Sequence, residues 1–168
     1  MNPSHPEGSL PFDLDALGAV SRRLAEAVFS SLPQLRRHAR VVRSGESDGL
    51  SLSLVVPSPT GDPDRTLVVW VDEAATPSVG FGPSHAHEHG DEDGIAATVD
   101  RATAILLGQV LIIEDVGGAY PGHGSWIDLR DPDALEEELT SPYSPGSALL
   151  KSWSGEADRQ VSTDSLMR

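Results

Sequence analysis

The stretch that decides the fold is Leu67-Val68-Val69-Trp70-Val71. A short apolar run bounded by turn residues is typical of a strand at the centre of a sheet, buried on both faces. Before it, residues 50–56 alternate leucine with serine or valine, which predicts a half-buried strand. Two shorter strand candidates flank this pair, at residues 38–43 and 78–81. Because all four segments are closely spaced, we predict an antiparallel meander.

Apolar residues at steps of three or four predict two main helices. The first lies between Asp13, a possible capping residue, and Pro33, with the stripe Leu14, Leu17, Val20, Leu24 and Val28. The second starts near Gly94 and ends at Gly108, with the stripe Ile95, Val99, Ala102 and Leu106. A short third helix is expected after Pro132 and through Leu139.

These elements do not alternate regularly, so they predict an α+β fold rather than a doubly wound parallel sheet. With further strands near residues 110–113, 126–129 and 149–153, we expect a single mostly antiparallel sheet of five to seven strands, carrying both main helices and the short one. We expect a flexible arm at 1–11, a single domain at 12–158 and a polar tail at 159–168. The side chains expected in the core are Leu17, Leu24, Leu52, Leu54, Val69, Phe81, Val99, Leu106, Ile112 and Trp153.

Composition limits the classes of partner. The formal charge is −14, which disfavours nucleic acids and anionic membrane surfaces but attracts a basic protein. No apolar run approaches the roughly 20 residues that span a bilayer, and no secretion signal is apparent at the start. The chain has no cysteine, which excludes disulfides and thiolate zinc sites. We therefore expect a protein of the reducing cytoplasm.

Histidines are concentrated in one segment, where His85, His87 and His89 alternate along the chain. In an extended strand such residues face the same side, and imidazoles at this spacing can bind one divalent transition metal. Glu92 or the distant His123 would complete the site. One hypothesis is therefore a metal-binding protein or metal-dependent enzyme with His85, His87 and His123 as ligands.

A second interpretation needs no cofactor. Gly82-Pro83 is expected to end the preceding strand, because proline cannot donate to a ladder. The histidines and Glu92 would then lie in a solvated loop that leads to the second helix and faces a partner. The acidic residues Asp91 to Asp93 suit the start of that helix, through capping and the helix dipole.

Nothing in the chain is a catalytic signature. The glycine-rich stretch 117–124 lacks the lysine and serine of a phosphate-binding loop, and no Gly-x-Ser-x-Gly motif occurs. The triplet His85, His87 and Glu92 is similar to the first motif of cupins, which would imply metal bound in a β-barrel. A cupin would continue with strands, however, where a helix is expected here.

A broader resemblance rests on Val79-Gly80-Phe81-Gly82, His85-x-His87 and Trp153-Ser154-Gly155. Over residues 67–158 the chain resembles small uncharacterised bacterial α+β proteins, some of which resemble immunity proteins of polymorphic toxin systems. The resemblance implies a non-enzymatic interaction protein and assigns no role to a particular residue. Together with the charge, it leads to the hypothesis of a small cytoplasmic protein that neutralises a basic protein partner.

Overall fold

The computed structural model describes residues 12–43, 50–72, 74–116, 124–140 and 147–162. No helix within these ranges is both long and apolar enough to cross a bilayer. Two short 3₁₀ helices occupy Pro33–His38 and Pro63–Arg65. The other elements are, in chain order, α1 (Ala19–Ser31), β1 (Ala39–Arg43), β2 (Leu50–Val56), β3 (Leu67–Val71), β4 (Pro77–Phe81), β5 (Ser84–His87), α2 (Glu92–Leu106), β6 (Val110–Asp115), β7 (Gly124–Asp128), α3 (Ala134–Thr140), β8 (Ser147–Lys151) and β9 (Arg159–Ser162).

The fold is α+β, as expected, but the expectation of a single sheet is wrong. The strands form two antiparallel sheets, one of five strands in the order β1-β2-β3-β4-β5 and one of four in the order β7-β6-β8-β9. Helix α2 lies between β5 and β6 in the chain. Strand β6 then pairs on its two edges with β7 and β8, so neither edge remains for β5.

The chain groups into two compact units. One comprises Met1–Val56, Val68–Val79 and Ala86–Asp100, and the other comprises Pro57–Leu67, Gly80–His85 and Arg101–Arg168. The expected division into arm, single domain and tail stays a prediction. Residues 1–11 lie outside the described part of the chain, and strand β9 occupies the start of the segment expected to be a polar tail.

The five-stranded sheet is a meander with β3 at its centre, as the sequence predicts. Leu67, Val69 and Val71 are buried, but Val68 and Trp70 on the other face are only half-buried. The expected burial on both faces of β3 is therefore met in full on one face and in part on the other. The reason is that the Val68 and Trp70 side chains alternate onto a face that keeps contact with solvent.

Helix α1 starts later than its apolar stripe suggests. Asp13 does not cap it; the Asp13 carboxylate instead accepts a hydrogen bond from Asp15 N at 3.0 Å. Gly18 N donates to Leu50 O at 3.0 Å, which ties the chain to β2 before the helix begins at Ala19.

The four-stranded sheet has a core of its own on one face. Strands β6 and β8 pair in antiparallel register, so that alternate residues of both strands face the same side. Helix α3 contributes Leu139 to this core. Its buried members are Leu111, Ile113, Ile127, Leu139, Ala148, Leu150 and Val161.

Eight of the ten side chains expected in the core are buried. Leu106 and Trp153 are less deeply buried than the other eight, although most of each residue is still covered. Leu106 is the last residue of α2, and the fully buried residue beside it is Ile105. Ala104, which the predicted stripe leaves out, is also buried.

Candidate functional site

The histidine segment begins with a tight hairpin. Gly82 and Pro83 form the turn between β4 and β5, and Gly82 has a φ of +62°. A positive φ at the first central position is what a type II′ hairpin turn requires, and glycine adopts it without strain. The chain therefore reverses and pairs again. Strand β4 ends at Phe81, as Gly82-Pro83 led us to expect. The expectation that the histidines then lie in a loop is wrong for His85 and His87, which belong to β5.

Both of these histidines have exposed side chains and lie on an edge strand of the five-stranded sheet. Strand β5 is last in the sheet order. His85 and His87 are exposed, whereas Ser84 and Ala86 are half-buried. Because successive side chains of a strand alternate between its faces, the two imidazoles share the exposed face.

His87 is held in place by residues of β3, β4 and the connection between them. Its Nδ1 lies 2.7 Å from Ser78 Oγ and 3.8 Å from Asp72 Oδ2. Ser78 Oγ also donates to Thr76 O at 3.2 Å, so the hydroxyl accepts from Nδ1–H and the network assigns that tautomer. The imidazole meets the Trp70 ring edge-on, with 6.1 Å between centroids.

Ser78, His87 and Asp72 are not arranged as a nucleophilic triad. In such a triad the serine and the carboxylate bind different nitrogens of the imidazole. Here both lie next to Nδ1, and Ser78 is fully buried, out of reach of a substrate. This group of three orients His87 on the surface and does not activate the serine.

Four carboxylates follow β5 and lead into α2, and we call residues 88–93 the acidic segment. Asp91 Oδ1 accepts a hydrogen bond from Gly94 N at 2.9 Å, so Asp91 is the N-cap of α2. Glu92 and Asp93 occupy the first turn, where the helix dipole favours negative charge, and both are exposed. Glu88 is half-buried. The segment itself contains no lysine or arginine.

The backbone of the acidic segment is fastened to its surroundings. Arg23 of α1 donates through Nη2 to Gly90 O at 2.6 Å. A Cβ at Gly90 would lie 2.8 Å from Ala75 O, so the residue must be glycine for the chain to pass this closely. The carboxylates of the acidic segment therefore lie on an anchored turn.

The structure brings His85 and His87 onto one strand face, and no other described residue joins them in a metal site. His89 and Glu92 are exposed residues of the acidic segment. His123 lies outside the described residues. Within the part of the chain that is described, no three or more histidine, aspartate or glutamate side chains are placed to hold a metal ion.

Sequence reasoning missed a cleft in the second compact unit. Its volume is about 330 Å³, and it is lined by Pro63, Asp64, Gly82, Pro83, Ile112, Glu114 and Lys151. Lys151 forms an ion pair with Glu114. The available signal was that Lys151 is the only lysine in the chain, but its partners come from distant segments and form no motif.

A second polar network lies in the same unit, around Arg65. Arg65 Nη1 donates to Asp158 Oδ2 at 2.6 Å, and Nε donates to Asp62 Oδ2 at 3.0 Å. Burial opposes the charge of Arg65, but these two carboxylates outweigh it and raise its pKa. Asp158 Oδ1 also accepts from Ser152 N at 2.8 Å. The network fixes the turn that follows β8, including Trp153, whose carbonyl accepts from Ser58 Oγ at 2.6 Å.

Positive charge is concentrated near the start of the chain. Six of the twelve lysine and arginine residues lie between Arg22 and Arg43, so the remainder carries the acidic excess. Arg37 Nε donates to His38 Nε2 at 3.0 Å, which requires a neutral imidazole. Burial, and then the charges of Arg37 and Arg40, lower the pKa of His38.

Comparison with known proteins gives no further guide to function. No family model matches the chain, and no curated protein or solved structure is significantly similar to it. The interpretation of its function therefore rests on its own residues.

Proposed function

We propose that this protein is a small acidic cytoplasmic binding protein that captures a basic protein partner, as immunity proteins of toxin systems do. The acidic segment together with His85 and His87 would form the contact surface. The observation that carries the proposal is the clustering of four acidic residues on an anchored turn, directly after β5, the last strand in the sheet order, whose His85 and His87 side chains are exposed.

The charges support capture of a cationic surface in two ways. The formal charge of −14 attracts a basic protein over a distance of about 10 Å at 0.1 M salt, which speeds association. The exposed residues Asp91, Glu92 and Asp93 then favour one orientation of the partner, because they concentrate negative charge at one place on the surface. The anchoring of Gly90 by Arg23 limits the conformational entropy that binding has to remove.

The edge strand supports the same function. An extended segment of a partner can add to an exposed sheet edge through main-chain hydrogen bonds, while side chains beside the edge provide specificity. His85 and His87 are exposed at this edge, and the Ser78 contact fixes the orientation of the His87 ring. Partners captured in this way are expected to carry lysine or arginine next to an extended segment.

The test uses two charge-reversal variants with the same change in net charge. In the first, Glu92→Lys and Asp93→Lys replace two exposed carboxylates in the first turn of α2. In the control, Glu136→Lys and Glu137→Lys replace two exposed carboxylates in the first turn of α3. Because both pairs lie at a helix start, the unfavourable effect on the helix dipole is matched.

Each variant and the wild-type protein would be used to capture partners from the source cell at low and at physiological salt. We expect the wild type and the α3 variant to retain a basic protein that the α2 variant loses. Equal loss in both variants would mean that only net charge matters, and recovery of no partner at either salt concentration would refute the proposal.

A His85→Ala, His87→Ala double variant addresses the alternative of a metal-binding protein. We expect it to fold and to weaken partner capture. If the wild-type protein, purified without a histidine tag, instead carried a stoichiometric transition metal that the double variant lacks, the metal hypothesis would replace the binding proposal.

A further inference from the structure

The cleft in the second compact unit has a floor built by the four-stranded sheet. Ile112 of β6 is paired directly with Lys151 of β8, and Glu114 lies two residues further along β6. These three side chains share the face of the sheet opposite to Leu111, Ile113 and Leu150, which fill the core. Ile112 is buried and supplies an apolar surface at the base of the cleft.

The walls of the cleft come from two chain segments other than the sheet. Pro63 and Asp64 belong to a 3₁₀ helix, and Gly82 and Pro83 belong to the hairpin turn. A Cβ at Gly82 would lie 2.4 Å from Ile112 Cδ1 and 3.0 Å from Asp64 O, so the two walls close tightly around the floor. The two prolines are rigid and keep the shape of the cleft without a ligand.

The charged groups of the cleft are the ammonium of Lys151 and the carboxylate of Glu114, which pair with each other. The Lys151 side chain is 23% exposed and that of Glu114 is 32% exposed, so both are partly withdrawn from water. The backbone carbonyl oxygen of Asp64 adds an acceptor beside Gly82. An anionic ligand would meet the Glu114 carboxylate, and a simple amine would compete with Lys151 for Glu114. A ligand that carries an ammonium and a carboxylate together can pair with both charged side chains.

We propose that this cleft binds a small zwitterion, a free α-amino acid with a short apolar side chain. Its carboxylate would pair with Lys151, its ammonium with Glu114 and the backbone carbonyl oxygen of Asp64, and its side chain would rest on Ile112 between the two prolines. The volume of about 330 Å³ accommodates such a molecule. The site uses none of the residues of the acidic segment, so it goes beyond the proposed function and is independent of it.

The first test measures binding to the wild-type protein of three ligands that share one apolar group and differ in their charged groups. L-valine carries both charges, isobutylamine lacks the carboxylate and 3-methylbutanoate lacks the ammonium. Because Lys151 is the only lysine, reductive methylation with ¹³C places one side-chain label in the chain and retains its positive charge. We expect L-valine to shift this resonance, and each truncated ligand to bind about tenfold or more weakly, as expected when a charge-assisted pair is lost.

The second test uses calorimetry on Lys151→Met and Glu114→Gln, with Arg130→Gln as a control. Arg130 pairs with Asp128 on an exposed surface of the same unit, so its replacement should leave L-valine binding unchanged. We expect each cleft variant to bind L-valine about tenfold or more weakly. If Lys151→Met fails to fold, Glu114→Gln and the ligand series still decide whether the cleft binds L-valine. Equal binding of the three ligands, unaltered binding by Glu114→Gln, or no binding of L-valine up to about 10 mM would overturn the proposal.

Discussion

Replacement of Gly82 by alanine tests whether the hairpin turn and the cleft wall are as tightly closed as the structure indicates. Two separate penalties are expected at this position. The backbone φ of +62° is unfavourable for any residue with a Cβ. The new methyl group would also approach Ile112 Cδ1 to 2.4 Å and the carbonyl oxygen of Asp64 to 3.0 Å.

Gly61 provides a matched control, because its φ is +77° but no atom lies within 4 Å of a Cβ built there. Gly61→Ala should therefore show only the backbone penalty, about 1–2 kcal/mol. Gly82→Ala should add an overpacking penalty of about 1–3 kcal/mol, since the methyl group displaces a buried isoleucine and approaches backbone. We expect a total of about 2–5 kcal/mol for Gly82→Ala.

Urea unfolding of the wild type and both variants, followed by circular dichroism, measures the two free energies of unfolding. The slope with denaturant should be the same in all three proteins, so that the midpoints report stability directly. If Gly82→Ala loses no more stability than Gly61→Ala, the close approach of the turn to Ile112 is absent in solution and the described cleft wall is incorrect.

Three further outcomes are expected from the same unfolding assay. Asp158→Ala should cost about 2–3 kcal/mol, because it removes the acceptor of the Arg65 guanidinium, which is 12% exposed, and of a backbone amide. Asp128→Ala removes the same kinds of hydrogen bond from Arg130, whose side chain is 39% exposed, and should cost less, about 1 kcal/mol; similar values would contradict the network. Ile105→Ala should cost about 2–5 kcal/mol and Leu106→Ala clearly less, because Ile105 is the more deeply buried of the two. The reverse order would mean that Leu106 lies in the core, as the sequence predicts. Because the pKa of His38 is lowered in the folded protein, the unfolded chain binds more protons just below pH 6.5. The free energy of unfolding of the wild type should therefore fall as the pH drops through that window. His38→Gln should remove the contribution of His38 to this pH dependence, and an unchanged pH dependence would show that His38 is not its source.

Local features were predicted well where they depend on neighbouring residues. The apolar run 67–71 and the helical period from Ile95 identified β3 and α2, because strand and helix periods are written directly into the order of side chains. The same reasoning failed for β5. Gly82-Pro83 disrupts a ladder, but only the pairing of β5 with β4 shows that the chain reverses there.

The sequence by itself determined the α+β class, most of the core and the excess of acidic charge, since these follow from composition and from patterns within single segments. Only the tertiary structure decided that there are two sheets, that His85 and His87 lie on an edge strand, and that Lys151 meets Glu114 in a cleft. Strand pairing and side-chain convergence depend on contacts between residues far apart in the chain. Many pairings are compatible with the same local pattern, and the choice among them is made by how well the apolar faces of the whole molecule are buried.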